Sequence, residues 1–420
     1  MINSALHTRR YDLDWLRVFA ILLIFVYHCG RFFDYGWWHL KAEQHSVIAA
    51  AFSLFGEQWG LHLLFLLSGA GMYFSLQTHS TRDNVLGRVK RLLIPFLFGV
   101  FALAPPQVYF ERLRNAEFHG SFLQFYPHYF DGLYFFRGNF SWMGHHLWFL
   151  PYLFLLSLAA TPLFLYLKKE KGQRARTRLV VLSEMRGGIF LFALPFVAIQ
   201  MSLRQLFPDH ASLADFFLWL ICLVLGYMIV AEPKLNAAIV HRGKLALALA
   251  ILCSAIIVAW LLSPNAPAPS YSLPYLALMA LRGFNLWFWL VAILWLGKKF
   301  LNFNHRVLKY GNEAVLPFYM LHQTIIIGIG YFALRQHWSV LATYLLIAAS
   351  SFAAIMLVYE LIVRRLNLMR WLFGMKRRNS SMSKTRLAIL LIFLLPFSVL
   401  AQTSAAASPF ELLWQFDTHG

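Results

Sequence analysis

A chain of 420 residues with 60% hydrophobic and only 13% charged side chains does not have the composition of soluble domains, which carry roughly 25% charged residues. The net charge of +19 does not point to nucleic acid, because Lys and Arg fall in short clusters between apolar runs, as in membrane proteins with basic cytoplasmic loops. The bilayer is therefore the solvent, and the fold class is an all-α polytopic transmembrane helix bundle.

Apolar segments at 15–34, 47–76, 92–110, 147–167, 187–206, 213–231, 245–262, 272–297, 314–334 and 339–363 predict ten spans, most near the 20 residues that cross the hydrocarbon core and two longer, as tilted spans are. The first is opened by Asp12 and Asp14 and contains Arg17, which argues against a cleavable signal. Arg9 and Arg10 precede it. Arg82, Arg88, Lys90 and Arg91 fill the second connection, and the fourth, Lys168 to Arg186, is dense in Lys and Arg. The sixth holds Lys234, Arg242 and Lys244, the eighth Lys298, Lys299, Arg306 and Lys309, and Arg364, Arg365 and Arg370 follow the tenth span. Every even-numbered connection is basic and the others are poor in charge, so the N-terminus is expected in the cytoplasm.

The connection from Glu111 to His146 has no evident helix and is rich in aromatics. It reads equally as a functional loop or as an interfacial segment lying on the bilayer. Cys29, Cys222 and Cys253 sit inside apolar runs and imply neither a disulfide framework nor a metal site. One domain is expected over residues 1–373. Beyond it, 374–420 reads as a basic linker followed by an apolar run, Leu387 to Leu400, ending Val399-Leu400-Ala401. Residues 382–401 are thus either an eleventh span or a fused secretory signal.

Ionisable side chains in spans are costly and mark functional sites. They are Arg17, His28, Glu57, His62, Arg204, Arg282, His322 and Glu360. Arg17 and His28 are most informative. Eleven positions is close to three helical turns, so both share a face with Asp14 about 16 Å apart along the axis. Arg88 and Arg91, neighbours at i and i+3 on a helix, suit a polyanion such as phosphate. Glu57 and His62 are about 140° apart on the wheel and do not share a face. His322 follows Pro317, expected to open or kink its helix; alone, it reads as a satisfied interior histidine. Ser68-Gly69-Ala70-Gly71 reads as a close helix crossing.

These residues also carry a resemblance. Asp12-Leu13-Asp14-Trp15-Leu16-Arg17 followed by His28, Phe65-Leu66-Leu67-Ser68-Gly69, Arg88-x-x-Arg91 before Leu92-Leu93-Ile94-Pro95, and His146-Leu147-Trp148-Phe149-Leu150 occur in the order seen in integral-membrane acyltransferase family 3, which the chain resembles over residues 10 to 365. Trp37-Trp38-His39-Leu40-Lys41 is similar to a branch linked to succinylation of periplasmic glucans. The resemblance implies a bacterial inner-membrane O-acyltransferase with no bound cofactor, taking an acetyl or succinyl group from cytoplasmic acyl-CoA as co-substrate to a carbohydrate hydroxyl. It also implies roles: His28 as general base or acyl carrier, Arg17 to position the donor or stabilise developing negative charge, and Arg88 and Arg91 on the donor phosphates. Glu57, His62 and His322 are candidates for the acceptor side. The rival expectation is a transporter or flippase for an envelope glycan or its lipid-linked precursor, since buried charges mark transport paths too.

Overall fold

The computed structural model describes residues 9–378, which form helices joined by short connections. The segment 382–401 lies outside the described residues. Helix α1 (Tyr11–Gly30) begins one turn earlier than hydropathy predicts. Asp12 and Asp14 are inside its first turn, where carboxylates complement the helix dipole, and they pair with Arg10 at 2.7 Å and Arg9 at 2.8 Å.

The second span is broken. α2 (Val47–Glu57) and α3 (Gly60–Thr78) meet at Gln58 and Trp59, and Trp59 leaves helical geometry with φ −143° and ψ −18°. The third runs through α4 (Thr81–Arg88), a π-helical turn at Val89–Leu93, α5 (Ile94–Ala102) and α6 (Ala104–Arg114). Pro95 lacks the N–H that would continue the α ladder, which is where the wider π turn ends. The stretch from Glu111 to His146 is not helix-free. α6 runs on to Arg114, and α7 (Phe122–His128) is closed at its start by a Ser121–Gln124 capping box.

α8 (Phe149–Lys168) is entered through a 3₁₀ turn at His145–Trp148, and the basic fourth connection folds as α9 (Glu170–Glu184). The predicted span 187–206 is instead two short helices, α10 (Gly188–Leu191) and α11 (Leu194–Ser202). Pro195, without an N–H to give, stands in the first turn of α11 just after the break at Phe192 and Ala193. Then follow α12 (Leu213–Ala231), α13 (Pro233–Leu261), α14 (Leu273–Phe300), α15 (Arg306–Ala333) and α16 (Val340–Val358). A second π turn at Tyr359–Val363 leads to α17 (Asn367–Leu372). Pro317 lies within α15, which neither opens nor ends there.

Among the described residues, nine segments are long and apolar enough to cross a membrane; Gly188–Ser202 is apolar but shorter. The architecture is an all-α polytopic membrane bundle. The expected small-residue crossing is present between α3 and α12. A Cβ on Gly69 would lie 1.8 Å from the Leu223 carbonyl oxygen, and one on Gly226 1.8 Å from that of Leu66, so only glycine lets these backbones meet. α1 packs against α15, α14, α2 and α3, which surrounds its polar stripe with other helices.

Candidate active site

Near the Gly30 end of α1, His28 meets His322 of α15. The His28 Nδ1 is 2.8 Å from the Ile24 carbonyl oxygen and 3.2 Å from the His322 Nε2. A carbonyl oxygen only accepts, so the His28 Nδ1 carries the proton and its Nε2 keeps the lone pair. The same logic applies one ring further on. His322 Nδ1 donates to the Tyr319 carbonyl, so its Nε2 can share the His28 Nδ1 proton. The His28 Nε2 has no hydrogen-bond partner among the described residues. A neutral imidazole held in one tautomer with its other nitrogen open is the form a general base needs.

A third ring closes the group. His146 stacks edge-on to His322 with centroids 4.8 Å apart, and its Nε2 donates to the Met320 carbonyl at 3.1 Å. The three histidines aim nitrogens at separate backbone carbonyls, and no group of side chains among the described residues converges as metal ligands would. Trp38 lies across His28 at 5.3 Å between centroids.

Two adjacent histidines serve two clusters because of a local twist. Gly144 and His145 both have positive φ, 67° and 51°, a strained pairing for a non-glycine residue that recurs at functional sites. It turns His146 toward His322 and His145 toward His39 and Tyr134, at 4.5 and 4.7 Å between centroids. His39 in turn contacts Glu111, which also accepts from the Tyr134 hydroxyl at 2.7 Å. Burial and the Glu111 carboxylate push the Tyr134 phenol well above its ordinary range, so it remains a donor. Gln323 links the two clusters, its amide nitrogen 3.3 Å from the His39 Nε2 and one position along from His322.

The other predicted residues lie on several elements, and only Arg17 is on α1. Arg17 is at the Tyr11 end, 3.6 Å from Asp14, with Arg91 and Arg9 among its charged neighbours. Arg91 lies in the π turn that begins just after Arg88 and is among its charged neighbours. Arg88 turns inward to Ser157 at 2.7 Å and Asn84 at 3.3 Å, while Arg91 is exposed. Glu57 accepts from Tyr27, the neighbour of His28, at 2.8 Å. His62 is separate, buried with neither ring nitrogen partnered. Sequence reasoning brought neither His39, Glu111 and His145 into the site nor His322 and His146 into contact with His28. The only local signals were the His145-His146 doublet at the mouth of a span and His39 behind two tryptophans.

A multi-pass helical bundle organised around a buried histidine cluster thus defines the class of protein. The acyltransferase-domain model of acyltransferase family 3 matches residues 10–360, and the chain belongs to this family; it is an acyltransferase. Among curated relatives, glucans biosynthesis protein C of Salmonella schwarzengrund (strain CVM19633) and of Salmonella typhi are each 22% identical over 389 residues, covering 89% of this chain and 97% of the relative. No solved structure matches.

Proposed function

We propose that the protein moves an acetyl or succinyl group from cytoplasmic acyl-CoA to a hydroxyl of an envelope carbohydrate, the class of acceptor being the glucans that its relatives' name mentions and, as our own narrower reading, a periplasmic glucan. It would sit in the bacterial inner membrane with its N-terminus in the cytoplasm, as the basic connections imply. The observation that carries this reading is the His28 imidazole with Nδ1–H engaged and Nε2 open.

In the proposed step the His28 Nε2 takes the proton of the acceptor hydroxyl as that oxygen attacks the thioester carbonyl carbon. The carbon–sulfur bond then breaks, and the proton passes from His28 to the departing thiolate, giving an ester and free CoA. His322, accepting from the His28 Nδ1, offsets the positive charge that develops on the ring. Arg17 lies about 16 Å from His28 along α1 with Arg91 among its charged neighbours, and these two, together with Arg88, would hold the phosphates of the donor. The donor's acyl arm would then follow the polar face of α1. A covalent acyl-His28 intermediate is the variant route.

Purified protein, labelled acetyl-CoA or succinyl-CoA, and extracted glucans test the reading. Wild type should transfer label, and His28→Ala should lose roughly 100- to 10,000-fold in rate at unchanged folding. Full transfer by folded His28→Ala would remove the catalytic assignment. Transport of unmodified glycan without any donor would favour the transporter.

A further inference from the structure

A second polar centre lies beside the junction of α2 and α3 and takes no part in the chemistry above. Arg282 is within the membrane-crossing part of α14. Among the described residues it has no ion-pair or hydrogen-bond partner, yet none of its nitrogens is sealed inside the protein. Its charged neighbours include Arg204, Glu57 and Asp215. The carboxylates nearby are engaged elsewhere. Asp215 closes on Arg204, Glu57 accepts from Tyr27 and lies 3.5 Å from Arg31, and Asp34 holds Arg31 at 2.6 Å and Lys41 at 2.8 Å. Glu57 and Asp215, the carboxylates among the charged neighbours of Arg282, are thus each bonded to another group, and among the described residues the Arg282 guanidinium is left unpaired. An uncompensated guanidinium at membrane depth is costly.

An independent feature faces the same place. No side chain caps the N-terminus of α3, where the chain breaks at Trp59. In its first turn His62 is 8% exposed, and neither ring nitrogen has a partner; Arg282, Arg204 and Asp215 are its charged neighbours. Asn285, one turn on from Arg282 along α14, hydrogen-bonds Gln58 at the break, so that face of α14 is turned toward the start of α3. The free N–H groups of a helix start and a guanidinium fork both select anions, and broken spans present such half-helix ends to anionic groups.

We propose that Arg282, His62 and the uncapped start of α3 form a binding site for an oxyanion, a carboxylate or phosphate group, inside the membrane bundle. The fork takes the anion's oxygens, a His62 N–H adds a donor, and the bound charge pairs with the unpartnered guanidinium. Two sources supply this chemistry: a free carboxylate such as succinate, and the phosphate of an anionic lipid. The site stands apart from the acyl-transfer reading, and its test needs no transfer.

Thermal unfolding, followed by tryptophan fluorescence in neutral detergent, is measured for wild type, Arg282→Gln and Arg91→Gln. Each is titrated with sodium succinate against sodium chloride of equal ionic strength and, separately, with phosphatidylglycerol against phosphatidylcholine. One probe should raise the Tm of wild type and Arg91→Gln in a dose-dependent way, with no response from Arg282→Gln. A succinate response assigns the carboxylate source and a phosphatidylglycerol response the lipid source. Without probe, Arg282→Gln should melt at or above wild type, having lost an unpaired charge. Should that variant not fold, His62→Phe keeps the arginine and should weaken the response midpoint about tenfold. No shift of wild type by either probe, or equal shifts in all variants, overturns the site.

Discussion

Replacing His322 by Gln should slow acyl transfer about fivefold and leave the fold intact, because the lost contact to the His28 Nδ1 is one hydrogen bond worth about 1 kcal/mol. The check is kcat with saturating donor beside a melting curve; an unchanged kcat would mean the two rings are neighbours without being coupled. Glu111→Ala has a different signature. It removes the carboxylate that His39 and Tyr134 share and leaves buried donors unpaired, so Tm should fall by the equivalent of about 1–3 kcal/mol. At this scale the sequence says which side chains are out of place in a membrane, since His28 and Arg17 are conspicuous in an apolar helix. It does not say what they touch. His28 and His322 are 294 positions apart, and the twist that separates His145 from His146 depends on a positive φ at a non-glycine residue, which composition does not foretell.

The π turn at Val89–Leu93 is the element that most changes the expected donor site. Deleting one residue from it should restore an α ladder and rotate Arg91 by about 100° relative to Arg88. The expected outcome is a KM for the donor raised roughly tenfold or more with kcat little altered; a normal KM would dissociate Arg91 from the donor. At the α3–α12 crossing, Gly69→Val drives a side chain into the Leu223 carbonyl, and overpacking of this kind costs typically 1–3 kcal/mol, readable as a lower Tm. Hydropathy locates the long helices because their apolar runs exceed the bilayer thickness. It fails where the helix extends into polar sequence, as in α4, α9 and the first turns of α13 and α15. It also fails at Gly188–Ser202, where Pro195 interrupts a run that is apolar throughout.

The placement of the whole molecule in the bilayer turns on that interrupted segment. If Gly188–Ser202 crosses, α9 and the Asp209–Ser212 connection face opposite sides, and the basic connections all remain in the cytoplasm. Cysteines introduced at Gln173 and at Asp209 in a background without Cys29, Cys222 and Cys253 should accordingly react with a membrane-impermeant reagent from opposite sides. Labelling from the same side would reverse every later connection. The alternation of charge is plain in the sequence because it is a property of loops, whereas the depth of a broken helix depends on packing against α14, which no local pattern encodes.

The central proposal is that His28, at one end of α1, activates the acceptor hydroxyl for an acyl group carried by a donor bound at the other end. It is tested most directly in inside-out vesicles holding glucan in the lumen, with labelled succinyl-CoA or acetyl-CoA added only outside. Label should appear on the lumenal glucan with wild type and be absent with His28→Ala. Label confined to the outer compartment, or undiminished with His28→Ala, would contradict the account.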